Sequence, residues 1–301
     1  VTRRVSALDR LAALREAAAS LESAHVENAR RDAEWLLAAV LGLERFALYL
    51  DAGRELTADE AERYRALVDR RARRVPLQHL LGFEEFYGVR LAVNSDVLIP
   101  RPETEGLVEW AIEILRDRPA SIVADIGTGS GSIACALARS LPALRVLAVE
   151  RSLPALAVAA LNVRVLGLSR RVGLLAGDFL APLGPSRIDL VVANPPYIPT
   201  AVLASLPPEV SGFEPREALD GGPDGMAAMR RIIASASSAL RAGGRLMLEI
   251  GEDQAGPLAS LLAAEGFTGI EARRDLAGRE RYIAGTWAEW SRWGDDRGNR
   301  T

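Results

Sequence analysis

The residues that first suggest chemistry are Asn194-Pro195-Pro196-Tyr197, which follow directly on the apolar run 188–193. Two prolines at the end of a strand stop the hydrogen-bond ladder and stiffen the turn. A stiff turn holds a polar side chain in one geometry. In such a turn the Asn194 amide oxygen and the Pro195 carbonyl can both accept hydrogens from one planar NH2 group. The Tyr197 ring can then stack on the face of that group. A second constellation is Asp125-Ile126-Gly127-Thr128-Gly129-Ser130-Gly131, at the end of an earlier apolar run and at the opening of a helix. Glycines there allow a tight turn and a close approach of the main chain to a ligand. The spacing is Gly-x-Gly-x-Gly, not the Gly-x-Gly-x-x-Gly of dinucleotide binders. Glu150 lies nineteen residues beyond Gly131, at the end of the next strand run. A carboxylate in that place can accept both ribose hydroxyl hydrogens of a nucleoside. Loop and carboxylate together predict an adenosine-containing cofactor, without saying which one.

These residues need a scaffold, and the sequence supplies a pattern for it. Short apolar runs at 122–126, 145–149, 172–175, 188–193 and 245–250 alternate with helical stretches. Such alternation predicts βαβ units and a parallel sheet with helices on both faces. Runs 267–273 and 281–284 have no long helix between them and are expected to pair antiparallel at one edge. Ahead of this domain the texture is helical only. Residues 7–21 carry Leu8, Leu11, Leu14, Ala18 and Leu21 at helical spacing, and a second helix over 28–41 stops at Gly42. Phe46, Leu48 and Leu50 fall in a short third element. Thr57 and Glu60 have the form of a capping box that opens a fourth helix running to about residue 74. Pro76 is expected to end this bundle. The aromatic and β-branched residues between Gly82 and Val93 predict a hairpin. The expected domains are therefore a helical bundle over 1–75, a hairpin linker over 76–100, a sheet domain over 101–285 and a tail over 286–301. Trp287, Trp290 and Trp293 in the tail, at spacing three, are read as a last helical turn.

The chain has 301 residues, 49% hydrophobic and 26% charged, with a net charge of −3. These are globular proportions, and the negative balance argues against a general grip on nucleic acid. All 37 basic residues are arginine, so lysine chemistry is excluded. One cysteine, Cys135, excludes an intrachain disulfide and a cysteine-based zinc site. The longest uncharged stretch, 190–208, holds five prolines and cannot be a membrane helix. Residues 1–20 lack an uninterrupted apolar core, so no secretory signal is expected. The counts predict a reduced, cytoplasmic, soluble protein.

The tetrapeptide after a glycine-rich loop resembles the S-adenosylmethionine-dependent methyltransferases that modify planar amino or amide nitrogens. Further runs narrow the likeness: Val97-Leu98-Ile99-Pro100-Arg101-Pro102-Glu103-Thr104-Glu105, then Glu214-Pro215 with Ala218-Leu219 and Gly221-Gly222-Pro223-Asp224-Gly225. Leu248-Glu249-Ile250-Gly251 with Gln254, and Asp275-Leu276-Ala277-Gly278, complete it. Together they look like the peptide chain release factor glutamine N5-methyltransferases, over nearly the whole chain to about residue 285. The resemblance implies a Rossmann-like, seven-stranded class I methyltransferase domain behind a substrate-docking helical bundle and a linking hairpin. It implies methyl transfer from S-adenosylmethionine, with S-adenosylhomocysteine as product and no metal. The acceptor would be the glutamine of the Gly-Gly-Gln motif in class I release factors, with no nucleic acid or membrane partner. Gly127, Thr128, Gly129, Ser130 and Gly131 would line the methionine and adenosine moieties. Glu150, often Asp in relatives, would hold the ribose, and Phe179, after Asp178, would lie near the adenine. Asn194, Pro195, Pro196 and Tyr197 would hold the glutamine, with Asn194 also beside the cofactor. Pro154 falls one place later than usual and is expected only to shift a helix start.

A primary amide nitrogen is a poor nucleophile, and no histidine or cysteine near the tetrapeptide offers a base or covalent relay. Catalysis must come from placement and electrostatics. The competing reading is a DNA adenine-N6 methyltransferase, because adenine also presents a planar NH2. It calls for a basic face and a target-recognition domain, where this sequence has a short helical bundle and a negative charge. A cofactor-binding module without catalysis is the third reading, and the intact tetrapeptide argues against it.

Overall fold

The seven apolar runs become one seven-stranded sheet in the computed structural model, which describes residues 9–118, 120–185 and 187–288. The chain divides into two units. The first holds the residues up to Phe83 together with Leu206–Phe213, and the second holds the remainder.

In the first unit, α1 (Arg10–Ser23) is capped by Asp9, whose carboxylate accepts from Ala12 N at 2.7 Å. Helix α2 (Ala29–Leu41) stops at Gly42, whose φ of 64° is the left-handed conformation that glycine adopts freely. A single turn, α3 (Ala47–Leu50), buries only Leu48. Thr57 and Glu60 form the full capping box of α4 (Ala58–Ala72). Leu21, Leu36, Leu37 and Leu48 are fully buried between these helices. Pro76 does not end the bundle: it is the N-cap of a fifth helix, α5 (Leu77–Leu81). A proline at a helix start gives up no intrahelical hydrogen bond, so it can open a helix as readily as close one.

The second unit, from residue 84, begins within a hairpin of β1 (Phe83–Phe86) and β2 (Val89–Ala92). Its two-residue turn, Tyr87-Gly88, has positive φ at both positions, as tight hairpins require. Then follow α6 (Pro102–Leu115), β3 (Ile122–Ile126), α7 (Ser132–Ser140), β4 (Arg145–Glu150), α8 (Leu153–Val165), β5 (Val172–Ala176) and β6 (Ile188–Ala193). After these come α9 (Pro208–Ser211), α10 (Ala227–Ala239), β7 (Leu240–Glu249), α11 (Ala255–Ala264), β8 (Phe267–Arg274) and β9 (Glu280–Trp287). The strand order is β5-β4-β3-β6-β7-β9-β8, parallel except that β9 runs antiparallel to both neighbours. Strand β7 begins five residues before the expected run. A register shift between Ile188 and Leu190 lets Leu240 pair with Ile188 before Arg245 pairs with Leu190. Trp287 does not start a helical turn. It pairs with Phe267 across β8 and β9, and the two rings pack with centroids 5.5 Å apart. Trp290 and Trp293 lie outside the described residues. Pro154 sits in the first turn of α8, behind the Ser152 cap.

Helix α9 lies in the segment that joins the first unit. Glu209 fastens it there, accepting from Arg71 at 2.9 Å and from Arg74 at 2.7 and 2.6 Å. Arg71 also donates to the buried Asp32 at 2.8 Å. The basic end of α4 is thus partly internal. Among the described residues, no helix is long and apolar enough to cross a membrane.

Candidate active site

The strand order reverses between β3 and β6, whose C-terminal residues Ile126 and Ala193 are register partners. Ligands of open α/β sheets bind at such a reversal, beyond the carboxyl ends of the strands. The next residues, Gly127 and Asn194, therefore flank one another at the mouth of a cavity of about 500 Å3 within the second unit. Gly127, Gly129, Glu150, Phe179, Asn194, Pro195 and Pro196 all line it.

Main-chain bonds and one buried carboxylate shape the glycine loop. Gly127 N and Thr128 N both donate to Val149 O, at 2.9 and 3.0 Å. The Thr128 hydroxyl turns inward to Asp125 at 2.5 Å, and Ala134 N at the start of α7 donates to the same oxygen at 3.1 Å. Complete burial outweighs those bonds and pushes the Asp125 carboxyl up to about 7. The loop thus divides. Gly127 and Gly129 face the cavity, while Thr128, Ser130 and Gly131 face the protein and do not line it. Gly131 has a φ of 82°, and a Cβ there would lie 3.4 Å from Ala159. Both Glu150 oxygens are pinned, Oε2 by Gly129 N and Oε1 by Ser152 N, each at 2.9 Å. A carboxylate has about four acceptor positions, so lone pairs remain for a diol in the cavity. A Cβ added to Gly127 would meet nothing within 4 Å, so its main chain is open to the cavity. Together with the volume, these features suit an adenosine-containing cofactor of the expected size. Phe179, at a φ of 49°, lies under the Arg231 guanidinium at 4.6 Å, and Arg231 also pairs with Asp178.

At the tetrapeptide, Asn194 Nδ2 donates to the Thr104 hydroxyl at 3.0 Å. Tyr197 does not line the cavity; its hydroxyl donates to Glu249 Oε1 at 3.4 Å, and burial pushes its phenol up. Glu249 is 1% exposed, and burial pushes its carboxyl up to about 7. Gln254 secures the turn, donating to Tyr197 O at 3.1 Å and Gly225 O at 3.2 Å while accepting from Gly251 N at 2.8 Å. Arg101 pairs with the buried Glu214 at 2.5 Å. Cys135 is buried in the core beside α6, its thiol pushed up to about 12 by burial.

Sequence reasoning assigned no role to Thr104, Glu249 or Asn162. Asn162 accepts from Ala92 N at 2.7 Å and donates to Ala92 O and Ser130 O, tying the hairpin to the glycine loop. Its signal was a polar residue at a buried helical position among Ala155, Val158 and Ala159.

Two family models match this chain: the PrmC N-terminal domain over residues 12–82 and the methyltransferase small domain over residues 109–203. A release factor glutamine methyltransferase of Geobacter sulfurreducens is 47% identical, over 86% of this chain and 90% of its own length. One from Moorella thermoacetica is also 47% identical, over 89% and 95%. Among solved structures, the hMettl16 catalytic domain aligns with a TM-score of 0.57 at 18% identity, over 85% of this chain and 92% of its own, a likeness of fold. Identity at the level of the two bacterial enzymes, sustained across both units, makes this chain a member of the release factor glutamine methyltransferase family.

Proposed function

We propose that this protein transfers a methyl group from S-adenosylmethionine to the side-chain amide nitrogen of a release-factor glutamine, that of the Gly-Gly-Gln motif in class I release factors. One observation carries the reading. A single cavity is lined on one side by Gly127, Gly129 and Glu150 and on the other by Asn194-Pro195-Pro196, and the Asn194 amide nitrogen is tied back to Thr104. The Asn194 oxygen is then the end left for a visitor.

Gly127 and Gly129 would bring main chain against the cofactor, Glu150 would hold its ribose and Phe179 its adenine. Thr128, Ser130 and Gly131 would build the loop rather than touch the ligand. The bound cofactor supplies a sulfonium methyl, an electrophile already activated. Asn194 Oδ1 and the Pro195 carbonyl accept the two amide hydrogens, which raises electron density on the nitrogen and fixes its direction. Pro196 keeps the turn rigid, and Tyr197, anchored on Glu249, braces it from behind. The helical unit serves to dock the protein substrate, and the place of action is the cytoplasm.

The test is incubation with labelled cofactor and either release factor or DNA. Label on a release-factor glutamine is expected. Label on adenine, or on neither, would overturn the reading.

A further inference from the structure

Behind the tetrapeptide stand two buried residues, Thr104 and Glu249, to which the proposed methyl transfer gives no task. Any role for them rests on that reaction, in which the Asn194 oxygen, not its nitrogen, must face the substrate NH2. A carboxamide has nearly the same shape either way round, so sterics do not choose between its ends. Turned over, Asn194 would set one NH2 against another, donor against donor. The choice must come from the groups behind it.

The group in contact is Thr104, 3% exposed, with Oγ1 3.0 Å from Asn194 Nδ2. A hydroxyl alone settles nothing, because it can accept from an NH2 or donate to an amide oxygen. It becomes purely an acceptor toward Asn194 only if its single proton is given elsewhere. Glu249 is placed to take it. The Thr104 hydroxyl stabilises the charged form of this carboxyl. Glu249 Oε2 is buried and has no hydrogen-bond partner among the described residues, while Oε1 takes the Tyr197 hydroxyl at 3.4 Å. A buried carboxylate oxygen left unpaired is costly, and the Thr104 proton would satisfy it.

We propose that Thr104 and Glu249 are positioning residues for methyl transfer: the Glu249 carboxylate takes the Thr104 proton, Thr104 accepts from Asn194 Nδ2, and Asn194 Oδ1 is thereby turned to the substrate amide.

The arrangement depends on the charge of Glu249. Once protonated, Glu249 can donate to Thr104, whose own proton is then free for the Asn194 oxygen, and the wrong face of the amide is stabilised. Several groups face Glu249: Thr104 and Glu103 from α6, Tyr197 after β6, and Arg281 and Tyr282 from β9. Burial is the largest influence and favours the neutral form, with Glu103 on its side. Thr104, Arg281 and Tyr197 favour the charge. Turnover should therefore rise with pH through about 7, the point to which burial pushes this carboxyl.

The experiment measures single-turnover methyl transfer to full-length release factor, at saturating cofactor and substrate, as a function of pH. The wild type should show an acid limb near neutrality. Glu249→Gln cannot titrate and, like the protonated carboxyl, carries a donor toward Thr104, so it should lose the limb and stay about 10-fold below the wild-type plateau at every pH. Thr104→Val should lose about 10-fold at alkaline pH, and Thr104→Ser should restore most of it. Cofactor affinity by calorimetry should be the same in all four proteins, which separates misfolding from misorientation. A wild type without an acid limb, a Glu249→Gln enzyme that keeps it, or a Thr104→Val enzyme at full rate overturns the proposal while leaving the assigned activity in place. A wild type that labels no release-factor glutamine overturns the assigned activity and the proposal together.

Discussion

Replacing Glu249 by glutamine should make the protein more stable in alkaline solution. The carboxyl is almost completely buried, and its pKa is pushed from the ordinary 4.5 up to about 7. The folded state therefore holds this proton more tightly than the unfolded chain does. The resulting stability is complete below 4.5 and is lost as pH climbs through about 7; above that, the fold carries a buried charge. The gap between 4.5 and about 7, at about 1.4 kcal/mol per pH unit, corresponds to about 3 kcal/mol. Glutamine has the same shape and no charge, but its NH2 must find an acceptor, which gives back about 1 kcal/mol. Glu249→Gln should thus exceed the wild type by about 2 kcal/mol above neutrality, and the advantage should vanish in mild acid. Asp125, whose carboxyl is also pushed up to about 7, is present in both proteins and cancels. Equilibrium urea unfolding at a series of pH values reads the difference directly. If the gap between the two proteins does not widen as pH rises, Glu249 does not titrate near neutrality in the fold. The acid limb expected in turnover would then lose its physical origin.

Removing the Asn194 side chain should leave a folded protein that has lost about 10²–10³ in turnover, the scale of one preorganised electrostatic contact; near-normal methyl transfer would refute its role. Glu150→Ala should weaken cofactor binding and free Gly129 N and Ser152 N from their shared partner; an unchanged affinity by calorimetry would count against the ribose assignment. Gly225→Ala should act through the tetrapeptide's exit. A Cβ there would fall 2.3 Å from Tyr197 O and 2.7 Å from Gln254 Nε2, at a φ of 75°. The turn must shift, at about 2 kcal/mol of stability and about 10-fold in turnover; wild-type rates with intact stability would show that the Gln254 clasp does not position the site.

The parts legible in the sequence are those whose signal is local. Parallel strands buried on both faces read as short, mainly apolar runs, and Ile122–Ile126 and Ile188–Ala193, each interrupted by a single aspartate, fall where such runs predict them. The capping box at Thr57 and the stop at Gly42 are equally local, since the groups that satisfy each other lie within one turn. The parts that escaped depend on partners far along the chain. Glu209 reaches Arg71 from 138 positions away and draws α9 out of the sheet unit, and nothing in the spacing of residues 206–213 announces it. Asn194 and Thr104 are 90 positions apart, and Asn162 meets Ala92 across 70. Pro76 shows the limit of a local rule, because the same ring suits the end of one helix and the start of the next. The glycine loop shows another. Its five residues form one motif in sequence, but the main chain turns only Gly127 and Gly129 toward the cavity and sends Thr128 to Asp125. A motif therefore marks the residues that touch a ligand together with those that brace them. The two kinds are told apart by where each hydrogen bond ends. At the tetrapeptide the ends proposed to matter are the Thr104 hydroxyl and the Glu249 carboxyl, in segments that carried the family resemblance but to which the sequence gave no task.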